Sequence, residues 1–274
     1  MTFICHFEPF TYNKRTPFLL RSICTIFLVL TLISQPSFAQ HPNRKAIDAL
    51  LTELPHTVGN LRIDCLNSLS EQYWWSPRPN PDSIFFYANQ SFLLSKNTSD
   101  GYGLAMAKLN LGISEYYRRN YLQAEKDMLE CISMSGKNHS AKILGYSYLY
   151  LGSIHYLKNE NTNAERDYDK VTVYFDETGD EEGKGKLCAF QCVLYTAMGN
   201  YIKWFEYCQK SLMIRTKLND NLCVLSSYNN FGNLFKAAGD YEGALDCYQK
   251  VCNMQGQTIY RGIRMNLWDQ YIVA

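Results

Sequence analysis

The chain has 274 residues, 46% of them hydrophobic and 19% charged, with a formal net charge of +1. That composition excludes wholesale disorder, and near-neutral, interspersed charge excludes a protein that holds nucleic acid or anionic lipid by neutralising phosphates. With only 16 Gly and 8 Pro, a loop-rich all-β fold is disfavoured and helices are favoured; 21 Tyr is the unusual count.

Lys14, Arg15 and Arg21 precede an apolar run from Ile23 to Ile33, and Ser37-Phe38-Ala39 then offers a small-residue cleavage site before Gln40. This order predicts a signal peptide over 1–39, hence an exported, periplasmic or secreted protein. The run is about half of the roughly 20 residues that span a bilayer, and no later segment is apolar enough, so no membrane span is expected after cleavage. Cys24 lies inside the run, which argues against a lipoprotein. A leading helix and linker fill 40–61, with the helix near Asn43–Glu53.

From residue 62 onward the sequence repeats itself. The clearest unit reads Tyr228-Asn229-Asn230-Phe231-Gly232-Asn233-Leu234-Phe235, then Gly239-Asp240-Tyr241-Glu242-Gly243-Ala244, then Tyr248. Steps of 40 residues back from Gly232 reach Cys192 with Gly199-Asn200-Tyr201, Leu151-Gly152 with Ala164 and Tyr168, Leu111-Gly112 with Ala124 and Met128, and finally a degenerate unit with Trp75 and Pro81-Asp82-Ser83. Units are placed near 65–104, 105–144, 145–184, 185–224 and 225–264, and a sixth opens at Met265 and stops at Ala274 as if cut short.

This pattern resembles the tetratricopeptide repeat (TPR), with L-G in the first helix, G-[DN]-Y at the turn and A-x3-[YF] in the second. The resemblance implies an all-α, TPR-like α-solenoid of stacked helical hairpins over 62–274. The usual unit is about 34 residues, so the extra residues are assigned to connections between units such as Glu177–Gly183. Gly112, Gly152, Gly232, Ala124, Ala164 and Ala244 stand where helices must approach closely, and Cys192 and Cys131 are small residues in such slots; Trp204 in an Ala slot departs from the pattern. The tyrosines Tyr121, Tyr201, Tyr241, Tyr168 and Tyr248 are read as packing residues rather than a ligand platform.

In the TPR resemblance the first helices line a concave face that takes extended peptides. The inward positions include Asn110, Tyr146, Tyr150, Lys186, Phe190, Asn230 and Asn233, and the Asn residues form a partial ladder able to donate to and accept from a peptide backbone. Lys186 fits one place of a carboxylate clamp, but Phe190 replaces its Arg. Arg118 and Arg119 sit near a hairpin turn and read as a solvated end.

No nucleophile elbow, P-loop, HExxH or dinucleotide fingerprint occurs, the five His are scattered, and Glu181-Glu182 reads as loop charge, so no catalysis and no cofactor are expected. Cys188 and Cys192 are four apart, yet nothing else stands at a zinc spacing, so no metal is expected; eight Cys follow residue 39, and their placement argues against a disulfide framework. The leader, leading helix and 40-residue units resemble the exported amino-terminal sensor region of bacterial histidine kinases and helix-turn-helix regulators, here without the output domain. The expected function is a non-catalytic periplasmic module binding a protein or peptide; the alternatives are a stand-alone exported adaptor scaffolding an envelope complex and a subunit of an enzyme whose catalysis lies in another chain.

Overall fold

The computed structural model describes residues 44–75, 79–138, 140–237 and 239–257. The expected leader (1–39) and the sixth unit (265–274) lie outside the described residues. Among the described residues there is no strand. The helices are α1 (Arg44–Glu53), α2 (Gly59–Trp74), α3 (Pro81–Ser95), α4 (Gly101–Tyr117), α5 (Tyr121–Asn138), α6 (Ala141–Leu157), α7 (Asn161–Thr178), α8 (Glu181–Ala197), α9 (Tyr201–Lys217), α10 (Asn221–Ala237) and α11 (Tyr241–Gln257), with a 3-10 turn at Leu54–His56 after α1. From α4 on, each first helix opens 40 residues after the one before, and so does each second helix. The chain divides into two units, one holding α1 to α9 and the other α10 and α11.

Local chemistry marks many of the boundaries. Asp100, Asp180, Asn200 and Asp240 each accept, through the side chain, the backbone N–H three residues on, which satisfies an orphan donor of the helix that follows. Asn80 does the same for α3, accepting from both Asp82 and Ser83. From α4 to α10, apart from α5, each helix stops where one residue turns left-handed: Arg119, Asn159, Gly199 and Gly239 inside the hairpins, Gly179 and Asn219 between them. The N–H of the next residue then reaches back five positions, as from Asn200 to the Tyr195 carbonyl at 3.0 Å, closing the helix end.

The extra residues of each unit are not in connections. Only Gly179 and Asp180 separate α7 from α8, and both helices of a hairpin run 17 or 18 residues. Longer helices bury more apolar surface per hairpin, whereas longer loops would bury none. Glu181 and Glu182 accordingly occupy the first turn of α8, where carboxylates favour the helix dipole, and are not loop charge. The expected unit starts at 105, 145 and 185 fall one turn inside α4, α6 and α8.

The core of the larger unit runs between paired helices and includes Leu109, Ile113, Met128, Leu149, Tyr168 and Phe175. The small residues act by the room they leave: a Cβ on Gly152 would lie 2.6 Å from Cε1 of Tyr168, and one on Gly112 2.9 Å from Cε of Met128. In the smaller unit Gly232 meets Tyr248 at the same 2.6 Å. Ala124, Ala164 and Ala244 are buried, as is Cys131, but Cys192 is only half-buried. Trp204 is half-buried too, and the buried residues of α9 are Ser211, Leu212 and Ile214. Tyr168 fits the packing reading, whereas Tyr241, 70% exposed, does not.

Candidate functional site

Four of the expected site residues converge. Tyr146 and Tyr150 lie one turn apart on α6, and Lys186 and Phe190 hold the same register on α8. The start of α8 is tied to α6 by Asp180, whose Oδ1 accepts from the Gly183 N–H at 2.7 Å while its Oδ2 accepts from the Tyr146 hydroxyl at 2.5 Å. A cap and a cross-helix bond on one carboxylate hold Lys186, one and a half turns further on, at a fixed height against α6. Burial, and then the Asp180 carboxylate, drive the Tyr146 phenol far above its ordinary range, so it remains a donor.

The Lys186 ammonium lies 4.5 Å from the ring centre of Trp74, 4.8 Å from that of Trp75 and 5.4 Å from that of Tyr150. It donates to the Tyr150 hydroxyl at 2.9 Å, and that hydroxyl also meets Tyr117 Oη at 3.2 Å. The two indoles stack on each other with centroids 4.8 Å apart, and Phe190 sets its ring edge-on to Tyr150 at 6.1 Å. The result is a cup with Trp74 and Tyr150 buried at its base and Trp75, Tyr117, Lys186 and Phe190 half-buried at its edge.

No carboxylate pairs with Lys186 among the described residues; on the elements around the cup, Glu71 pairs with Lys142 at 2.7 Å and Asp220 with Arg215 at 3.0 Å. Burial, helped by the positive charge of Arg215, pushes the Lys186 amine down to about 7. Three ring faces work in the other direction, since each attracts the ammonium by about 0.5–2 kcal/mol. Burial also holds the Tyr150 phenol well above its usual range and lifts Tyr117 to about 12.

One member of the expected Asn ladder, Asn110, does not face a groove. Asn110 is fully buried: its Oδ1 accepts from the Trp74 indole N–H at 3.0 Å, and its Nδ2 donates to the Asn67 carbonyl at 3.4 Å. Its polar atoms are consumed in orienting Trp74, so it is a positioning residue for the cup and presents nothing to a peptide. Tyr146 is likewise buried and supports the site from behind. Asn230 is exposed on α10, and Asn233 accepts from the Tyr248 hydroxyl at 2.8 Å; both belong to the smaller unit. The sequence reading missed Trp74, Tyr117 and Arg215, and used Trp75 only as a weak repeat match. Consecutive tryptophans closing the first helix of the degenerate unit were the available signal. Among the described residues no group of three or more His, Cys, Asp or Glu is placed to hold a metal ion, and no helix is long and apolar enough to cross a membrane.

Capped helical hairpins with glycine at the close approach, repeated along the chain, define a helical-repeat protein of the α-solenoid class. Residues 188–257 match the family model described as Tetratricopeptide repeat. Solved structures share the fold. BtubC (BKLC) from P. vanneervenii is 14% identical, with 80% of this chain and 90% of that chain covered and a TM-score of 0.57. A Rap protein complexed with Competence and Sporulation Factor is 12% identical, with 89% and 77% covered and a TM-score of 0.55. Aspartyl phosphate phosphatase F from Bacillus subtilis is 11% identical, with 77% and 69% covered and a TM-score of 0.52. At these identities the likeness is one of fold. No curated protein matches the chain in sequence. Tetratricopeptide repeats are scaffolds for protein–protein interaction, generally without catalysis of their own.

Proposed function

We propose that this chain is a non-catalytic, exported binding module that captures an extended, acid-bearing protein segment and serves as the sensing part of an envelope signal-transduction regulator. The observation that carries the binding reading is Lys186, a cation held over Trp74 and Trp75 with no carboxylate partner among the described residues. A carboxylate from a bound segment would complete an ion pair in a site whose aromatic walls already exclude water on most sides, where charge-assisted hydrogen bonds are strongest. The half-buried faces of Trp75 and Phe190 would pack against the segment's apolar atoms. Export rests on the basic stretch, the apolar run Ile23 to Ile33 and Ser37-Phe38-Ala39.

Binding would be linked to protonation. The groups facing Lys186 are the Tyr150 hydroxyl, held protonated by burial, and the Arg215 cation, so the amine itself is the titrating partner near neutrality. An incoming carboxylate stabilises the ammonium, so affinity falls as pH rises through 7 to 9. The test is an array of extended decapeptides carrying Asp or Glu, each beside its Asn or Gln counterpart, probed with the protein and with Lys186→Met. Preference for the acidic member by the parent protein, absent from the variant, is the expected result; equal capture of acid and amide, or a preference that survives Lys186→Met, rejects the reading.

A further inference from the structure

In three hairpins the point of closest helix approach is occupied by glycine on the first helix and a large side chain sixteen positions on: Gly112 with Met128, Gly152 with Tyr168 and Gly232 with Tyr248. In the α8–α9 hairpin both members of that pair are cysteine. Cys192 takes the glycine place, Cys208 takes the place of the ring, and their sulfurs lie 2.7 Å apart. The pairing is thus a joint exchange at one register position: where the other hairpins set no side chain against a bulky one, this one sets two thiols of intermediate size face to face. Both are half-buried and so within reach of a small reagent, unlike the buried Cys65, Cys131 and Cys247.

We propose that Cys192 and Cys208 form an intramolecular disulfide that staples α8 to α9, made by thiol–disulfide exchange with a low-molecular-weight disulfide. One cysteine, as thiolate, attacks the oxidant's S–S bond, forming a mixed disulfide and releasing one reduced thiol. The second then attacks the protein-side sulfur of that mixed disulfide and releases the other half. Two protein thiols are oxidised, one oxidant disulfide is reduced to two thiols, and the two protons carried by the cysteines end on the released groups. The sulfurs need less than about 1 Å of closure to reach a bond of about 2.05 Å, and the Cα atoms sit on adjacent antiparallel helices at a register that already brings side chains into contact. The hydrogen bond with Cys208, and then burial, hold the Cys192 thiol well above its ordinary range.

The staple closes beside the Trp204 carbonyl, 3.9 Å from Cys192 Sγ, and on the helix that carries Lys186. The inference is independent of what the cup binds. The test uses the purified full chain, reduced and then incubated with oxidised glutathione. The expected result is a loss of about 2 Da in intact mass, a non-reducing digest peptide joining Cys192 to Cys208, and a melting temperature higher by about 5–10 °C than that of the reduced chain. Cys188→Ser keeps the cross-link, and Cys192→Ser instead retains glutathione on Cys208. Recovery of Cys192 and Cys208 as free thiols after oxidation, or a bond from either to Cys188 in its place, overturns the proposal, and both readouts come from the unaltered chain, so no variant needs to fold for them to be read.

Discussion

Replacing Lys186 with Met keeps the length of the stem and removes the amine, and it is expected to stabilise the protein. The amine titrates near 10.5 in an unfolded chain and at about 7 in the folded one. Between those values the unfolded state binds more protons than the folded state, so stability rises with pH across that window, and the penalty is fully present below about 7. At 1.36 kcal/mol for each pH unit the difference has a ceiling of about 5 kcal/mol. The edge of the cup admits water and three ring faces attract the ammonium, each by about 0.5–2 kcal/mol, which brings the expected penalty to about 2 kcal/mol near pH 6. The penalty shrinks as pH rises, because the folded amine gives up its proton at a lower pH than the unfolded one. Urea unfolding of parent and Lys186→Met at pH 6, 7.5 and 9 reads the difference directly, since every other titrating group is common to both. The variant should be the more stable at pH 6, with the gap narrowing at each step. A variant that is less stable at pH 6, or a gap that does not change with pH, refutes the argument that Lys186 is a desolvated cation awaiting an anion.

Asn110→Ala strips the Trp74 indole N–H of its acceptor in a fully buried setting and should destabilise by about 1–3 kcal/mol, whereas Asn230→Ala, on an exposed side chain, should stay within about 0.5 kcal/mol; denaturation of the two variants side by side checks this. Gly152→Ala drives a methyl group to 2.6 Å from the Tyr168 ring and should cost about 1–3 kcal/mol through overpacking, read as a lower urea midpoint than that of the parent. Expression of the full chain in a bacterium with an export pathway should yield a mature amino terminus at Gln40, read by sequencing the protein from the envelope fraction; an intact Met1 in the cytosol rejects the leader.

The hairpin repeat was legible because it is written in residues whose roles are steric and local. Gly112, Gly152 and Gly232 recur at the close approach, Asp or Asn recurs at the caps, and Gly or Asn recurs at the left-handed turns, so a 40-residue step carries one onto the next. The placement of the extra residues was not legible, because Glu181, Glu182 and Gly183 look like a loop until the Asp180 cap is seen to start a helix there. The site was legible in half. Periodicity placed Tyr146, Tyr150, Lys186 and Phe190 on one set of helix faces, but it assigns a face and not the depth at which a side chain ends. Asn110 shares that face and is buried by its bond to Trp74, a contact across 36 residues of chain that no local pattern encodes. The tryptophans themselves belong to the unit whose repeat signal is most worn, so the strongest part of the cup lies where repeat reasoning is weakest.

The most direct measurement of the central claim is the number of protons taken up when an acid-bearing peptide from the array binds, obtained by calorimetry at pH 7.5 in two buffers of different ionisation heat. With the free amine at about 7 and the bound one fully charged, the protein should take up about 0.8 proton per peptide. The amide counterpart, and Lys186→Met with either peptide, should take up essentially none. Binding of the acidic peptide with no proton uptake would contradict an ion pair at Lys186, and with it the account of the cup as an acid-recognising site.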